Sequence, residues 1–171
     1  ALYIREIRTI QPAGPYRLGG MCLGGVIAYE MAQQLVKQGE KVEFLGVLDT
    51  RRPPGWHRPL FDQRRVIKEW LSMISNAGQK RALKRVWLTN EKARNRYRPD
   101  PYPGKITIFW SEHEGDPQVD RQEIWRKLAL GGLEKIDIEG SSHRAILSPP
   151  HVHTLAAKIL KCLEPLNRPV S

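Results

Sequence analysis

The fold is decided by one stretch, YRLGGMCLGG at residues 16–25. Its first half predicts a short buried strand, and apolar residues at helical spacing over Val26–Lys37 predict a helix that follows it. Between the two stands GMCLG at residues 20–24, which has the spacing of a nucleophile elbow, with cysteine in the place of the usual serine. In such a turn the central side chain is exposed on a sharp bend. We expect Gly20 and Gly24 to provide the room that the strand and the helix need.

Cys22 occupies the centre of this turn, at the expected N-terminus of the helix. The helix dipole stabilises a thiolate there, and the backbone N–H of Leu23 points to where a tetrahedral intermediate needs an oxyanion donor. The pattern therefore indicates a nucleophilic cysteine. The alternative is a packing role, since small residues between a strand and a helix often serve close contact and a buried cysteine is commonly inert.

The rest of the chain alternates strands and helices. Residues 1–10, Arg121–Leu130 and Val152–Leu163 have the apolar spacing of helices. Three further segments predict strands: Val42–Leu48, Ile106–Trp110 and Leu133–Ile138. Strands that alternate with helices pair in parallel, so the sequence predicts an α/β protein in which helices are layered on a parallel sheet.

Two residues could complete a catalytic group with Cys22. Asp49 follows the predicted strand Val42–Leu48, and His143 follows the last predicted strand. The carboxyl ends of parallel strands meet at one edge of a sheet, so both side chains can reach the turn. The order nucleophile, Asp, His is also that of the α/β hydrolases. The alternatives are a turn or capping role for Asp49 and a solvent-exposed loop position for His143.

Another carboxylate could take the place of Asp49. Three acidic residues follow the third predicted strand, at the position where many α/β hydrolases carry their acid: Glu112, Glu114 and Asp116. From the residues alone, one of these stays the main rival to Asp49.

The positive charge of the chain is concentrated in one segment. The chain has 28 Lys and Arg against 18 Asp and Glu, but residues 51–98 alone hold 14 basic and three acidic residues. This distribution argues against a uniformly basic nucleic-acid binder. Apolar residues at helical spacing over Leu60–Ile74 and around Leu83–Trp87 interrupt the alternation of strands and helices. They predict a helical lid inserted at about 51–98, with a helical layer packed as core as the alternative.

The composition favours a protein that needs neither a membrane nor disulfides. Its longest apolar stretches fall short of the roughly 18–20 residues of a membrane-spanning helix, and no charged-then-apolar leader opens it. Its two cysteines, Cys22 and Cys162, offer neither a disulfide scaffold nor a C-x-x-C metal spacing. We therefore expect a reduced, cytoplasmic protein without membrane contact or bound metal.

Several strings of the sequence are more specific than these general patterns. They are IQPAGPYRLGG (10–20), AYEMA (28–32), VLDT (47–50), YRPDPYPGKI (97–106) and GSSH (140–143). Together with the elbow, they make the chain similar over nearly its whole length to the thioesterase domains that end non-ribosomal peptide synthetases and polyketide synthases. The resemblance implies an α/β-hydrolase fold with a lid that covers the acyl chain.

The resemblance also implies a mechanism. By position, Cys22 is the nucleophile, Asp49 the acid and His143 the base. The family carries its acid after the strand that follows the nucleophile, which favours Asp49 over Glu112. The substrate is implied to be a peptidyl or polyketide acyl chain on the phosphopantetheine arm of an acyl or peptidyl carrier protein, with no cofactor bound by the domain itself. The implied activity is release through an acyl-enzyme, by hydrolysis, by cyclisation or by capture with an amine.

The sequence departs from the family pattern in two ways. Cysteine replaces the usual serine at position 22, and only one helix precedes the elbow strand. The family has several strands there, together with the loop that gives the second oxyanion donor. We therefore expect residues 1–171 to be the C-terminal part of a thioesterase domain. Upstream synthetase modules, a missing N-terminal portion or a partner chain would complete it.

Three other functions stay open. A type II editing thioesterase, which frees stalled carriers, would use the same residues. A non-catalytic interaction module of a synthetase would fit an incomplete domain and a leftover cysteine. A nucleic-acid binder would rest only on the basic segment 51–98, whose tryptophans stand at core-like spacing rather than as a stacking platform.

Overall fold

The computed structural model describes residues 2–50, 77–112 and 121–167. The chain divides into two compact units, one formed by residues 1–53 and 100–171 and the other by residues 54–99. The described helices and strands are, in chain order, α1 (Leu2–Arg8), β1 (Tyr16–Met21), α2 (Leu23–Lys37), β2 (Val42–Leu48), α3 (Ala77–Arg96), β3 (Ile106–Ser111), α4 (Arg121–Leu128), β4 (Leu133–Ile138) and α5 (His151–Leu163), after which a 3-10 turn spans Glu164–Asn167.

The four strands form one parallel sheet in the order β1-β2-β3-β4. Gly20 pairs with Val47, Val47 with Ile108, and Ile108 with Lys135. Because all strands run in the same direction, their carboxyl ends lie at one edge of the sheet, and the segments that follow β1, β2 and β4 begin there. Within the described ranges, β1 is the outer strand on its side. The predicted α/β fold with a parallel sheet is confirmed.

Helix α2 packs on this sheet through an apolar face. Ala28, Tyr29 and Ala32 lie on one face of the helix, and all three are buried. Burying a large apolar side chain contributes about 1.5–3 kcal/mol, so this contact holds the helix that follows Cys22 against the strands. These three residues belong to one apolar cluster. Its other members come from β2, β3, α4 and the segments before β3 and after α4: Leu45, Val47, Tyr102, Ile106, Ile108, Trp125 and Ala129.

Several helix boundaries differ from the prediction: α1 ends at Arg8 and not at residue 10, α5 begins at His151 and not at Val152, and two further differences have a clear physical cause. Helix α2 begins at Leu23, immediately after the turn, and not at Val26. Two glycines oppose helix formation there, but the packing of the helix on the sheet overrides that propensity. Helix α4 ends at Leu128, and not at Leu130, because Ala129 forms a bridge with Tyr102 and the next amide donates to the Tyr102 carbonyl at 2.9 Å. Tertiary backbone pairing therefore ends this helix.

The unit formed by residues 54–99 contains α3 in its described part. This helix includes the predicted helical residues Leu83–Trp87. The predicted helix Leu60–Ile74 lies outside the described residues. The assignment of about 51–98 as a lid stays a prediction.

Two findings concern the described part of the chain as a whole. No helix in it has the length and apolarity required to cross a membrane. No group of three or more His, Cys, Asp and Glu side chains in it could hold a metal ion. The cytoplasmic location and the lack of a bound metal stay predictions.

Candidate active site

Cys22 forms the turn between β1 and α2. Its backbone angles, φ 55° and ψ −118°, lie where a side chain is rarely tolerated. Such a conformation costs on the order of 1–3 kcal/mol and persists only where the surroundings hold it. Here the Cys22 amide donates to the Leu48 carbonyl at 3.0 Å, while its carbonyl accepts from Thr50 Oγ1 at 2.9 Å and from the Gly25 amide at 3.2 Å. The side chain does not cap the helix and is half-buried.

Two glycines make this turn sterically possible, and one of them differs from the prediction. A Cβ on Gly20 would lie 2.2 Å from the Gly24 carbonyl oxygen. A Cβ on Gly25 would lie 2.1 Å from Thr50 Oγ1 and 3.0 Å from the Gly20 oxygen, whereas one on Gly24 would meet nothing within 4 Å. The prediction for Gly20 is therefore confirmed, and the prediction for Gly24 is wrong. Gly25 has the steric role because its Cα, and not that of Gly24, faces the end of β2.

Asp49 follows β2 and is completely buried. Like Cys22, it has a positive φ, 40°. Its amide donates to the Phe109 carbonyl at 2.7 Å, and its Oδ1 accepts from the Ser111 amide at 3.3 Å. Its Oδ2 lies 2.5 Å from His143 Nδ1. Both oxygens are therefore engaged, which fixes the direction in which the carboxylate faces.

His143 lies in the loop after β4 and joins the other two residues. Its side chain is 31% exposed. The hydrogen bond with Asp49 is the main cause that raises the pKa of His143 to about 9, and a side-chain hydrogen bond with Cys22 adds to it, while burial opposes the shift. Because Nδ1 faces Asp49, Nε2 is the ring nitrogen left for the cysteine. The geometry is a continuous chain from sulfur to imidazole to carboxylate.

The loop that carries His143 is held by hydrogen bonds near its start. Ser141 is buried, and its hydroxyl donates to the Ile138 carbonyl at 2.5 Å. The Gly140 amide donates to Glu112 Oε2 at 2.6 Å. Glu112 thus contacts the backbone of this loop, and Asp49 is the carboxylate against the imidazole. The other two rival acids, Glu114 and Asp116, lie outside the described residues.

The backbone at the start of α2 can stabilise an anion. The first amides of a helix have no intrahelical acceptor, and the positive end of the helix dipole lies among them. The amide of Leu23 belongs to the first residue of α2, directly after Cys22. This placement suits an oxyanion that forms beside the sulfur, as the sequence predicts.

Sequence reasoning did not identify two residues that hold the site. Thr50 bonds to the backbone of the turn, and Ser111 supplies the amide that orients Asp49. Thr50 could have been found from its position directly after the predicted acid. Ser111 could not, because its contribution is a backbone amide that any residue type would supply.

The chain matches the family model described as "Thioesterase domain" over residues 1–163. It is 37% identical to a non-reducing polyketide synthase of Cladonia metacorallifera, crz7, over 93% of this chain and 10% of that protein. It is 29% identical to the vanchrobactin synthetase VabF of Vibrio anguillarum over 92% of this chain and 6% of that protein. The chain thus spans a tenth or less of the length of the curated relatives that it matches first.

A solved structure with the same fold is the NocB thioesterase domain from the nocardicin cluster, in covalent complex with a fluorophosphonate nocardicin G analogue. The TM-score is 0.79 at 27% sequence identity, over 94% of this chain and 71% of that chain. The thioesterase domain SrfTE, described as cyclising the lipopeptide surfactin, has a TM-score of 0.67 at 20% identity over 98% of this chain and 74% of that chain. This second likeness concerns the fold alone.

Proposed function

Because this chain belongs to the thioesterase domain family, we propose that it releases a peptidyl or polyketide acyl chain from a carrier protein through an acyl-enzyme on Cys22. The observation that carries the proposal is the hydrogen-bonded chain from Cys22 through His143 to Asp49. The relatives support the substrate class, since the matched proteins are synthases and a synthetase. The covalent complex of the NocB domain supports a covalent mechanism.

In the first half of the reaction, the Cys22 sulfur attacks the carbonyl carbon of the carrier-bound thioester. His143 holds the proton that the thiol gives up, and Asp49 stabilises the resulting imidazolium, in agreement with the raised pKa of the histidine. The oxyanion lies against the Leu23 amide. The carbon–sulfur bond to the pantetheine arm then breaks, His143 returns the proton to the leaving thiol, and the acyl chain stays on Cys22.

In the second half, a nucleophile attacks the acyl group on Cys22. Water gives the free acid, whereas a hydroxyl or an amine gives an ester, an amide or a ring. His143 takes the proton of that nucleophile and gives it to the Cys22 sulfur as the thioester bond breaks, so the enzyme returns to its starting state. Asp49 keeps the imidazole oriented throughout.

A cysteine at this position changes the energy of the intermediate. Transfer from a carrier thioester to Cys22 forms another thioester and is nearly neutral in energy, whereas transfer to a serine would form a less reactive ester. The energy retained in the Cys22 intermediate would support a demanding release, such as closure of a strained ring or attack by an amine. The Cys22→Ser variant tests this idea by product analysis. A serine enzyme that makes the same product at the same rate would contradict it.

The basic helix α3 offers a surface for the carrier protein. Its sequence holds seven Lys and Arg and one acidic residue, and Lys84, Arg85 and Lys92 are exposed. A basic surface favours encounter with an acidic partner and would speed the docking of an acidic carrier. This part of the proposal predicts that binding of the carrier weakens as the salt concentration rises.

Intact-protein mass spectrometry tests the function directly. The chain is incubated with an acyl group loaded on a carrier protein, and the mass of the chain is followed. We expect the mass to increase by one acyl group in the parent protein and in Cys162→Ala, and to stay unchanged in Cys22→Ala. A parent protein that never gains the acyl group while the carrier stays loaded would support a non-catalytic interaction module instead.

A further inference from the structure

Thr50 connects the two segments that carry Asp49 and Cys22. It directly follows Asp49 and is 1% exposed. Its hydroxyl donates to the Cys22 carbonyl at 2.9 Å and also lies 3.3 Å from the Leu48 carbonyl. Its own carbonyl accepts from the buried Trp125 indole N–H at 3.4 Å. A buried hydroxyl is therefore fixed between the strand that carries Asp49 and the turn that carries Cys22.

The Cys22 carbonyl belongs to the same planar peptide group as the Leu23 amide. In a trans peptide the C=O and the N–H point in opposite directions, so a bond that fixes one fixes the other. The Cys22 carbonyl accepts from Thr50 Oγ1 at 2.9 Å and from the Gly25 amide at 3.2 Å, and the threonine makes the shorter of these two bonds. With the carbonyl held on the side of Thr50, the Leu23 N–H points to the opposite side, where the oxyanion would form. A hydrogen bond to the carbonyl also polarises the amide of the same group.

We infer that Thr50 is a positioning residue for the oxyanion donor: its hydroxyl sets the orientation of the Cys22–Leu23 peptide group. The inference rests on the proposed function, because an oxyanion forms only if Cys22 attacks a carbonyl. The steric role of Gly25 agrees with it, since a Cβ on Gly25 would lie 2.1 Å from Thr50 Oγ1 and would displace the hydroxyl. The glycine thus leaves the space that the threonine uses.

Two reactions of the same sulfur separate this role from a merely structural one. Acylation of Cys22 by a thioester passes through an oxyanion, whereas alkylation by iodoacetamide displaces iodide and forms none. Removal of a whole oxyanion donor costs about 10²–10³-fold in rate in other enzymes, and a misoriented donor should cost less. For Thr50→Val, which keeps the shape and loses the hydroxyl, we expect acylation to slow by about 10-fold or more, with alkylation within about 2-fold of the parent.

Matched variants complete the experiment. Thr50→Ser keeps a hydroxyl and should restore most of the acylation rate. Thr107→Val removes the hydroxyl of another buried threonine of the sheet, which bonds to Glu134 and not to the turn, and should leave both reactions unchanged. Should Thr50→Val fail to fold, Thr50→Ala removes the hydroxyl without an added methyl group and should show the same split.

The outcomes are distinct. Slowed acylation with unchanged alkylation, and rescue by serine, supports the inference. Unchanged acylation in Thr50→Val, or an equal loss in both reactions, overturns it, because the hydroxyl then has no role or only a role in folding. A parent protein that is alkylated at Cys22 but never acylated contradicts the proposed function, and this inference with it.

Discussion

The two cysteines of the chain lie in contrasting surroundings. Both are half-buried. Cys22 lies on a strained turn with a histidine hydrogen-bonded to it. Cys162 lies near the end of α5 and packs against an apolar cluster that includes Phe109 and Ile138, where burial raises the pKa of its thiol. The comparison teaches that exposure does not distinguish the two cysteines, whereas the histidine partner and the helix N-terminus at Cys22 do, and both of these features favour a thiolate.

The largest expected effect comes from removing the sulfur of Cys22, and removal of the Cys162 sulfur is the comparison. Cys22→Ala should lower kcat for thioester release by about 10⁴-fold or more, because loss of a nucleophile removes the covalent route. Cys162→Ala should leave kcat within about 2-fold of the parent, because Cys162 packs in the apolar cluster with Phe109 and is not part of the group of Cys22, His143 and Asp49. Steady-state release of the carrier thiol measures both. Equal losses in the two variants would remove the distinction between the sites.

The next effect concerns the carboxylate that bonds to His143, the histidine partner of Cys22. Asp49→Asn keeps the size of the side chain but replaces the carboxylate whose hydrogen bond is the main cause of the raised pKa of His143. We expect kcat to fall by about 10²–10⁴-fold and the pKa of His143 to fall below about 9. The second expectation is checked by NMR titration of the imidazole. A histidine that titrates as in the parent would show that Asp49 does not act on it.

The third effect concerns the tight turn, which has no counterpart at Cys162. Gly25→Ala should lower the free energy of unfolding by about 1–3 kcal/mol, because its Cβ would overlap Thr50 Oγ1. Gly24→Ala is the matched control, since its Cβ meets nothing within 4 Å, and it should leave stability unchanged or raise it by up to about 1 kcal/mol. Urea unfolding of both variants checks the pair, and the reverse order would contradict the steric assignment.

The fourth effect is a dependence of stability on pH. The pKa of His143 is raised in the folded state to about 9 from an ordinary value of 6.5, so the folded chain binds the proton more tightly than the unfolded chain. The stabilisation is complete below about pH 6.5 and is lost as the pH rises through about 9. The difference in free energy of unfolding between the parent and His143→Gln should therefore shrink between these pH values. A difference that grows with pH would contradict the raised pKa.

The smallest effect is expected for the packing of Cys162. Cys162→Ala removes one partly buried sulfur from the cluster that contains Phe109 and Ile138. A deletion of this size costs about 1 kcal/mol where the site is partly open to solvent. Thermal unfolding measures the change, and a loss as large as that from removal of a fully buried residue would show that Cys162 matters more to the fold than its contacts indicate.

The sequence predicts the sheet more accurately than the turn. Val42–Leu48 and Leu133–Ile138 match β2 and β4 residue for residue, because glycine or charged residues stand at both ends of each segment and mark where the strand begins and ends. The start of α2 and the role of Gly25 could not be read in the same way. The start of α2 depends on the packing of the helix on the sheet, and the role of Gly25 depends on the contact with Thr50 at the end of another strand. A local pattern carries no information about either contact.

The site was only partly predictable for the same reason. The positions of Cys22, Asp49 and His143 after parallel strands predict that their side chains meet at one edge, and the structure places Asp49 Oδ2 2.5 Å from His143 Nδ1. The choice between Asp49 and Glu112 needed the family resemblance, since both residues follow strands that end at that edge. The hydrogen bond from the Gly140 amide to Glu112 depends on how two loops approach each other, which the sequence pattern does not specify.

A rapid-quench experiment under single-turnover conditions tests the central claim most directly. The chain is mixed with less than one equivalent of an acyl thioester on a carrier protein, and the free pantetheine thiol and the acylated peptides are measured together. We predict that the thiol is released in step with an acyl group that is recovered on the peptide containing Cys22. Thiol release without an adduct at any time, or an adduct on the peptide containing Cys162, would contradict a covalent route through Cys22.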